Sequence, residues 1–217
     1  MRKHITLRSL LIISIVILAG VKFRVASGHP FPPAPTPKTL YDLAKERGKD
    51  GKYIHTIDVT GGVNYPNVEE LSKRCDAIMI GRPFRNDSRL SQDGTTITTY
   101  HWVKPQQVIK GMIKRNRVII ISVPGGTHRY QDGTVVLTHS KFYRQPMKGH
   151  VYALFLKQEG NDPKRWSVVG GSQGQFELDL SNRKVQPAEL KKNSPVRVKY
   201  KDISISQFMK EVRRVAR

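Results

Sequence analysis

The sequence predicts a mainly β domain, a small barrel or sandwich with helices at its periphery. Three observations carry this. About eight short runs rich in Val, Ile, Thr and aromatics recur along the chain. Turn signals separate them, among them Asp93-Gly94, Asp132-Gly133 and Gly170-Gly171. Helical spacing of apolar residues is concentrated near the two ends.

The elements follow in order. Leu40 to Arg47 reads as a short helix stopped at Gly48, and Lys52 to Thr60 as a partly alternating strand. Asn67 followed by Glu70 resembles a capped helix start. Val68, Leu71 and Cys75 then share one face, and the helix ends near Asp76. Ala77 to Phe84 reads as a strand, with Gly81 permitting a bend or bulge. Asp93-Gly94 is a hairpin signal, and Thr95 to Trp102 forms the strand after it. Val108 to Lys110 leads to Gly111, and Arg117 to Val123 reads as a central strand ended by Pro124, Gly125 and Gly126. Strands are also expected at Val135 to Leu137, Val151 to Leu156, Trp166 to Val169, Phe176 to Leu180, and Val196 to Tyr200. Ser204 and Gln207 open a terminal amphipathic helix that places Phe208, Met209 and Val212 on one face, suited to capping the end of a barrel.

Ahead of this domain lies a different composition. Arg2, Lys3 and Arg8 precede the apolar run Leu10 to Val21, which reads as an export signal. The run is shorter than the roughly 20 residues a spanning helix needs. A cleavable signal is one reading of residues 1–27 and an uncleaved anchor the other, the anchor being then the chain's membrane contact. Pro30, Pro32, Pro33, Pro35 and Pro37 make residues 28–39 a semi-rigid spacer. Residues 40–217 are expected to form a single exported domain, periplasmic or extracellular.

The chain carries 38 Lys and Arg against 17 Asp and Glu. Five of the basic residues and none of the acidic ones fall in residues 1–27, which leaves 33 against 17, a net of +16. Such a charge attracts polyanions in a salt-dependent way. Export directs that expectation to an acidic envelope polymer, a lipid surface or an anionic substrate; an envelope protein or acidic polymer is the expected partner, and no specific nucleic acid is predicted. No run alternates Arg or Lys with aromatics as a stacking platform would. Cys75 is the single cysteine, so an intrachain disulfide is excluded and a buried thiol is expected.

Two glycine-rich loops are the candidate binding elements: Gly125, Gly126, Thr127 and His128, then Gly171, Ser172 and Gln173. Consecutive glycines let backbone N–H groups approach an anion. Neither loop has the Lys and hydroxyl of a phosphate-binding loop, and Ser172 does not stand in Gly-x-Ser-x-Gly. His128 and Ser172 remain the candidate pair for an extracytoplasmic hydrolase. His128, His139 and His150 could meet only across strands, and neither a metal nor a cofactor is assigned. Gln92-Asp93-Gly94-Thr95 recurs as Gln131-Asp132-Gly133-Thr134, through divergent duplication or shared turn chemistry.

Four phrases carry a resemblance: Cys75 to Gly81, Val108 to Gly111, Tyr152 to Leu156, and Trp166 to Phe176. Their order resembles bacterial exported proteins of uncharacterised function. More distantly it is similar to the netrin-like module shared with metalloproteinase inhibitors. The resemblance implies a small closed or partly open antiparallel β-barrel of oligonucleotide-binding type and an interaction role. Inhibition is not implied, since the inhibitors' N-terminal cysteine and disulfide framework are missing. The expected function is therefore a noncatalytic extracytoplasmic binding or structural domain for an envelope protein or anionic polymer.

Overall fold

Four strands in the middle of the chain are apolar on both faces or alternate cleanly, and they organise everything else. The computed structural model describes residues 37–57 and 63–217. The readings of residues 1–27 as signal or anchor, and of the spacer up to Thr36, lie outside them. Among the described residues no helix is long and apolar enough to cross a membrane.

The order is α1 (Leu40–Arg47), β1 (Lys52–Ile57), α2 (Val68–Arg74), β2 (Ala77–Leu90), β3 (Ile97–Lys110), β4 (Ile119–Pro124), β5 (Gly126–Arg129), β6 (Val135–Ser140), β7 (Tyr152–Gln158), β8 (Arg165–Val168), β9 (Gln175–Asp179), β10 (Lys184–Pro187), α3 (Pro195–Tyr200) and α4 (Ile205–Val215). A 3₁₀ turn at Gly171–Gly174 links β8 to β9. Seven strands pair in the order β10-β9-β7-β2-β3-β4-β8, and three form a separate sheet, β1-β6-β5.

The expected antiparallel barrel of oligonucleotide-binding or netrin-like type is corrected here. Neither sheet closes as a barrel. β1 with β6 and β4 with β8 are parallel pairs. The large sheet does curl, because β8 also touches β7 over Leu156–Val168, Lys157–Ser167 and Gln158–Trp166. That edge of β7 is divided, however: Tyr152 to Leu154 pair with β9, which carries β10 beyond it. The sheet therefore splits at β7, and its far edge at β10 is covered by residues 202–204, where Val185 exchanges backbone hydrogen bonds with Asp202 and Ile203. The class that stands is mainly β with peripheral helices.

Burial explains the unbroken apolar runs. On β7, Ala153 and Phe155 face a cluster with α2, α3 and α4, while Tyr152, Leu154 and Leu156 face a second cluster within the curl. On β2, Ile78 joins the first cluster, and Ala77 and Met79 the second. A strand covered on both sides loses its alternation. The first cluster centres on Phe176, whose ring lies 4.8 Å from Phe208, 5.7 Å from Tyr200 and 5.8 Å from Phe155. Tyr200 Oη donates to Glu211 and accepts the Val68 N–H, so its polar end is satisfied inside the layer. Helix α4 packs on α2 and β10 in this layer rather than closing a barrel end.

Several elements run beyond their expected limits. β2 and β3 each span 14 residues, because pairing continues from Ile78–Lys110 to Leu90–Ile97. The register shifts between Ile78 and Met79, between Ile80 and Gly81, and between Pro83 and Arg85, so the ribbon bends. Gly81 is required at the second shift, since a Cβ there would lie 2.5 Å from Met79 Cε and 2.7 Å from Val103 Cγ1. Val196 to Tyr200 is helix, not strand. Pro195 opens α3, and the buried pair Val196 and Tyr200 stands one helical turn apart while Val198 is 70% exposed. The two Gln-Asp-Gly-Thr repeats share turn chemistry. Asp93 accepts from the Thr95 N–H and hydroxyl, as Asp132 does from Thr134.

β3 places His101 inward, directly opposite Ile121 on β4. Its Nε2 finds no partner among the described residues. Burial lowers its pKa from 6.5 to about 4. A depressed folded-state pKa means that the unfolded chain takes up the proton first as pH falls. Stability is then fully present above about 6.5 and declines towards pH 4, by about 3 kcal/mol from this one group. A His101→Leu variant is expected to lose that part of the acid sensitivity. Parallel urea titrations at pH 7 and pH 4.5 would show it as a narrower stability difference, and an unchanged difference would contradict it.

Candidate functional site

The two glycine-rich loops are placed in different parts of the fold. Gly125 and Gly126 join β4 to β5. The Gly125 N–H donates to Ile97 O at 2.7 Å, and its carbonyl accepts the Thr99 hydroxyl at 2.6 Å. Gly126 has φ +137, and a Cβ there would fall 2.2 Å from Thr99 Oγ1 and 2.5 Å from Ser88 Oγ. Close strand packing therefore accounts for this glycine. Thr127 and His128 continue β5 opposite Leu137 and Val136. The His128 ring meets Tyr130 edge-on at 4.6 Å and lines an open cavity of about 720 Å³ with Tyr41, Leu90 and Asp132. Asp132 is occupied by Lys45 at 2.6 Å and by the Tyr41 hydroxyl at 3.0 Å, and the Lys45 contact leads in holding its carboxyl well below the usual range.

The second loop is the 3₁₀ turn. Gly171 precedes two buried polar side chains. The Ser172 hydroxyl donates to Glu189 Oε2 at 2.8 Å. Gln173 clamps the segment before α2: its Oε1 accepts the Tyr65 N–H at 2.7 Å, and its Nε2 donates to Val63 O at 3.0 Å. No hydrogen bond joins His128 to Ser172 among the described residues, and Ser172 has a carboxylate, not an imidazole, as its partner. His150 contacts Glu177 at 2.7 Å, away from both. No three His, Cys, Asp or Glu side chains cluster as metal ligands among the described residues. Cys75 is buried, and desolvation raises its pKa.

A different constellation stands on the outer face of the large sheet. Helices cover that face over β9, β10 and the start of β2. Among the described residues, no helix packs on the stretch across the far half of β2, β3, β4 and β8. Antiparallel partners point the same way, so the register assembles a face. Arg85 lies opposite Trp102, Asp87 opposite Tyr100, and Arg89 opposite Thr98. Trp102 in turn lies opposite Ile120, and Ile120 beside Arg165. The Arg85 guanidinium stacks over the Trp102 ring at 4.6 Å, and Arg89 over Tyr100 at 5.5 Å. Trp102 walls a shallow cavity of about 360 Å³ whose rim carries Asn116, Arg117 and Lys164.

The face is basic in its local balance. Arg85, Arg117 and Lys164 make no ion pair among the described residues. Its acids are engaged: Asp87 with Arg89 at 2.9 Å, Asp162 with Arg165 at 3.5 Å, and Glu159 with the Ser122 hydroxyl at 2.8 Å. An arginine stacked on an aromatic ring surrenders less side-chain freedom when it meets an anion. The stacked Arg85, with Arg117 and Lys164 ahead of β4 and β8, can therefore hold oxyanions across this face with little reorganisation.

Reading residues in sequence order missed this site. Arg85 and Trp102 are separated by the β2–β3 hairpin, and Arg117 and Lys164 by four further strands. The available signal was the alternation of Tyr100 and Trp102 with His101 and Val103, which puts both large rings on one face of β3.

No family model matches the chain, and no curated protein matches it. The resemblance to exported bacterial β-barrel proteins and the netrin-like module is thus corrected on two grounds, the split sheet that does not close and the lack of any matching family. Most of the phrases that carried it are short apolar strand runs, which covered β-strands produce, while Gly171 to Gly174 of the last is a 3₁₀ turn.

Proposed function

We propose that this protein is a noncatalytic binding module for an extended anionic polymer, held on the face formed by β2, β3, β4 and β8. The observation that carries the reading is the stack of Arg85 on Trp102 beside the unpaired Arg117 and Lys164. Rings and guanidinium planes accept flexible polyanions whose charges repeat along the chain. The net charge of +16 that remains outside residues 1–27 supplies long-range attraction to the same class of ligand. With the export segment read from residues 1–27, the polymer is one of the cell envelope.

The test is binding of the full chain to an acidic polysaccharide, a polyphosphate and a single-stranded oligonucleotide across a salt series. The expected result is preference for one polymer that persists at physiological salt. Equal binding to all three, lost together on adding salt, would reduce the attraction to net charge and overturn a dedicated site.

A further inference from the structure

Where α4 meets the outer face, the fold leaves a second groove of about 620 Å³ that the polymer face does not use. Its floor is apolar, formed by the buried Leu178 of β9 and Met209 of α4. Leu180, just after β9, stands 60% exposed at the mouth. Three guanidiniums rim it, each from a different element: Arg82 from β2, Arg115 from the β3–β4 loop and Arg213 from α4. None of the three makes an ion pair among the described residues. The acids of the adjoining cavity are already committed. Glu177, 13% exposed, faces His150 at 2.7 Å and Arg144 at 3.8 Å. Asp179 accepts from Ser181 and Asn182, closing the turn after β9.

Three like charges lining one apolar trough repel one another, and an anion among them relieves that repulsion. Charge complementarity asks for an oxyanion at the rim, and the floor asks for a hydrocarbon chain. A bare phosphate would leave the floor wet, and a neutral chain would leave the guanidiniums unpaired. We infer that the groove binds a single-chain anionic amphiphile, with its head between Arg82, Arg115 and Arg213 and its tail along Leu178, Leu180 and Met209. A fatty carboxylate and a monoalkyl phosphate offer the same chemistry, and both are probes in the test.

Calorimetric titration of the full chain with dodecanoate and with dodecyl phosphate, below their micelle concentrations, tests this. Inorganic phosphate and dodecyl maltoside serve as head-only and tail-only comparisons. Saturable binding of either anionic chain at one per protein is expected, with the tighter probe identifying the head group. The exposed positions allow changes that leave the core alone. Removing the guanidiniums (R82A/R115A/R213A) is expected to weaken binding about tenfold for each one removed. Leu180→Asp is expected to abolish uptake while the far-UV spectrum is unchanged. Equal affinity for the maltoside, equal affinity for inorganic phosphate, or affinities unmoved by both variants would overturn the inference. Polymer binding is expected to survive Leu180→Asp, and amphiphile binding to survive Arg85→Ala, so failure at one site is distinguishable from failure at the other.

Discussion

Replacing Phe176 by Ala is expected to destabilise the fold by roughly 3–5 kcal/mol. Phe176 is completely buried and forms the centre of a four-ring cluster with Phe155, Tyr200 and Phe208. These rings come from β7, β9, α3 and α4, so the cluster is what fastens the C-terminal helices to the large sheet. The ring's loss removes both its own transfer energy and the contacts of three neighbours. Little collapse can follow, because strand pairing on both sides fixes the backbone of β9. For a domain of this size the change is a drop in Tm on the order of 10 °C. Phe176→Leu keeps most of the volume and is expected to cost less than half as much. A thermal melt that hardly moves for Phe176→Ala would mean that the helices do not pack as described.

The second large effect is on polymer binding. Arg85, Arg117 and Lys164 are exposed and unpaired, so substituting all three with Ala leaves stability nearly unchanged. Each lost contact with a flexible polyanion lowers the slope of log affinity against log salt by about 0.7, so three lower it by about 2. At low salt, the affinity itself is expected to fall on the order of a hundredfold. Trp102→Ala acts differently. An exposed cation–π contact contributes only about 0.5–1 kcal/mol, so affinity drops a few-fold with little change in slope. Charge thus sets most of the strength, and the ring sets where the charge stands. Reversed effects, with Trp102→Ala severe and the triple variant mild, would indicate an apolar partner.

How much of this is legible before folding differs by element. α1 falls at its expected residues because its signals are local: Thr39 and Asp42 form a capping box, and Gly48 ends the helix. α2 is likewise marked by Asn67, which accepts the Glu70 N–H. The hairpin turns at Asp93 and Asp132 were readable for the same reason. The Val196–Tyr200 segment was misread because an every-second-residue pattern also contains an i, i+4 pair. Only Pro195 at the first helical position separated the readings. β10 passed unnoticed, since Lys184 to Pro187 has one fully buried apolar side chain besides the proline, and its pairing with β9 is tertiary. Barrel closure is the least local property of all, as it depends on which half of β7 receives β8 and which receives β9. The glycine loops attracted interest as anion cradles, but the structure shows Gly125, Ser172 and Gln173 bonded within the protein. The basic-aromatic face is a product of strand register, which no single stretch of sequence encodes.

The protein has two tryptophans, and Trp166 is buried while Trp102 lies on the polymer face. Titrating the preferred anionic polymer into the full chain while following tryptophan emission therefore reports on the proposed surface directly. A saturable change in emission is predicted for the native protein, absent in Trp102→Phe and displaced to higher polymer concentration in the Arg85, Arg117 and Lys164 triple-Ala variant. Polymer binding that proceeds with Trp102 silent and with the triple variant unaffected would contradict the assignment of this face.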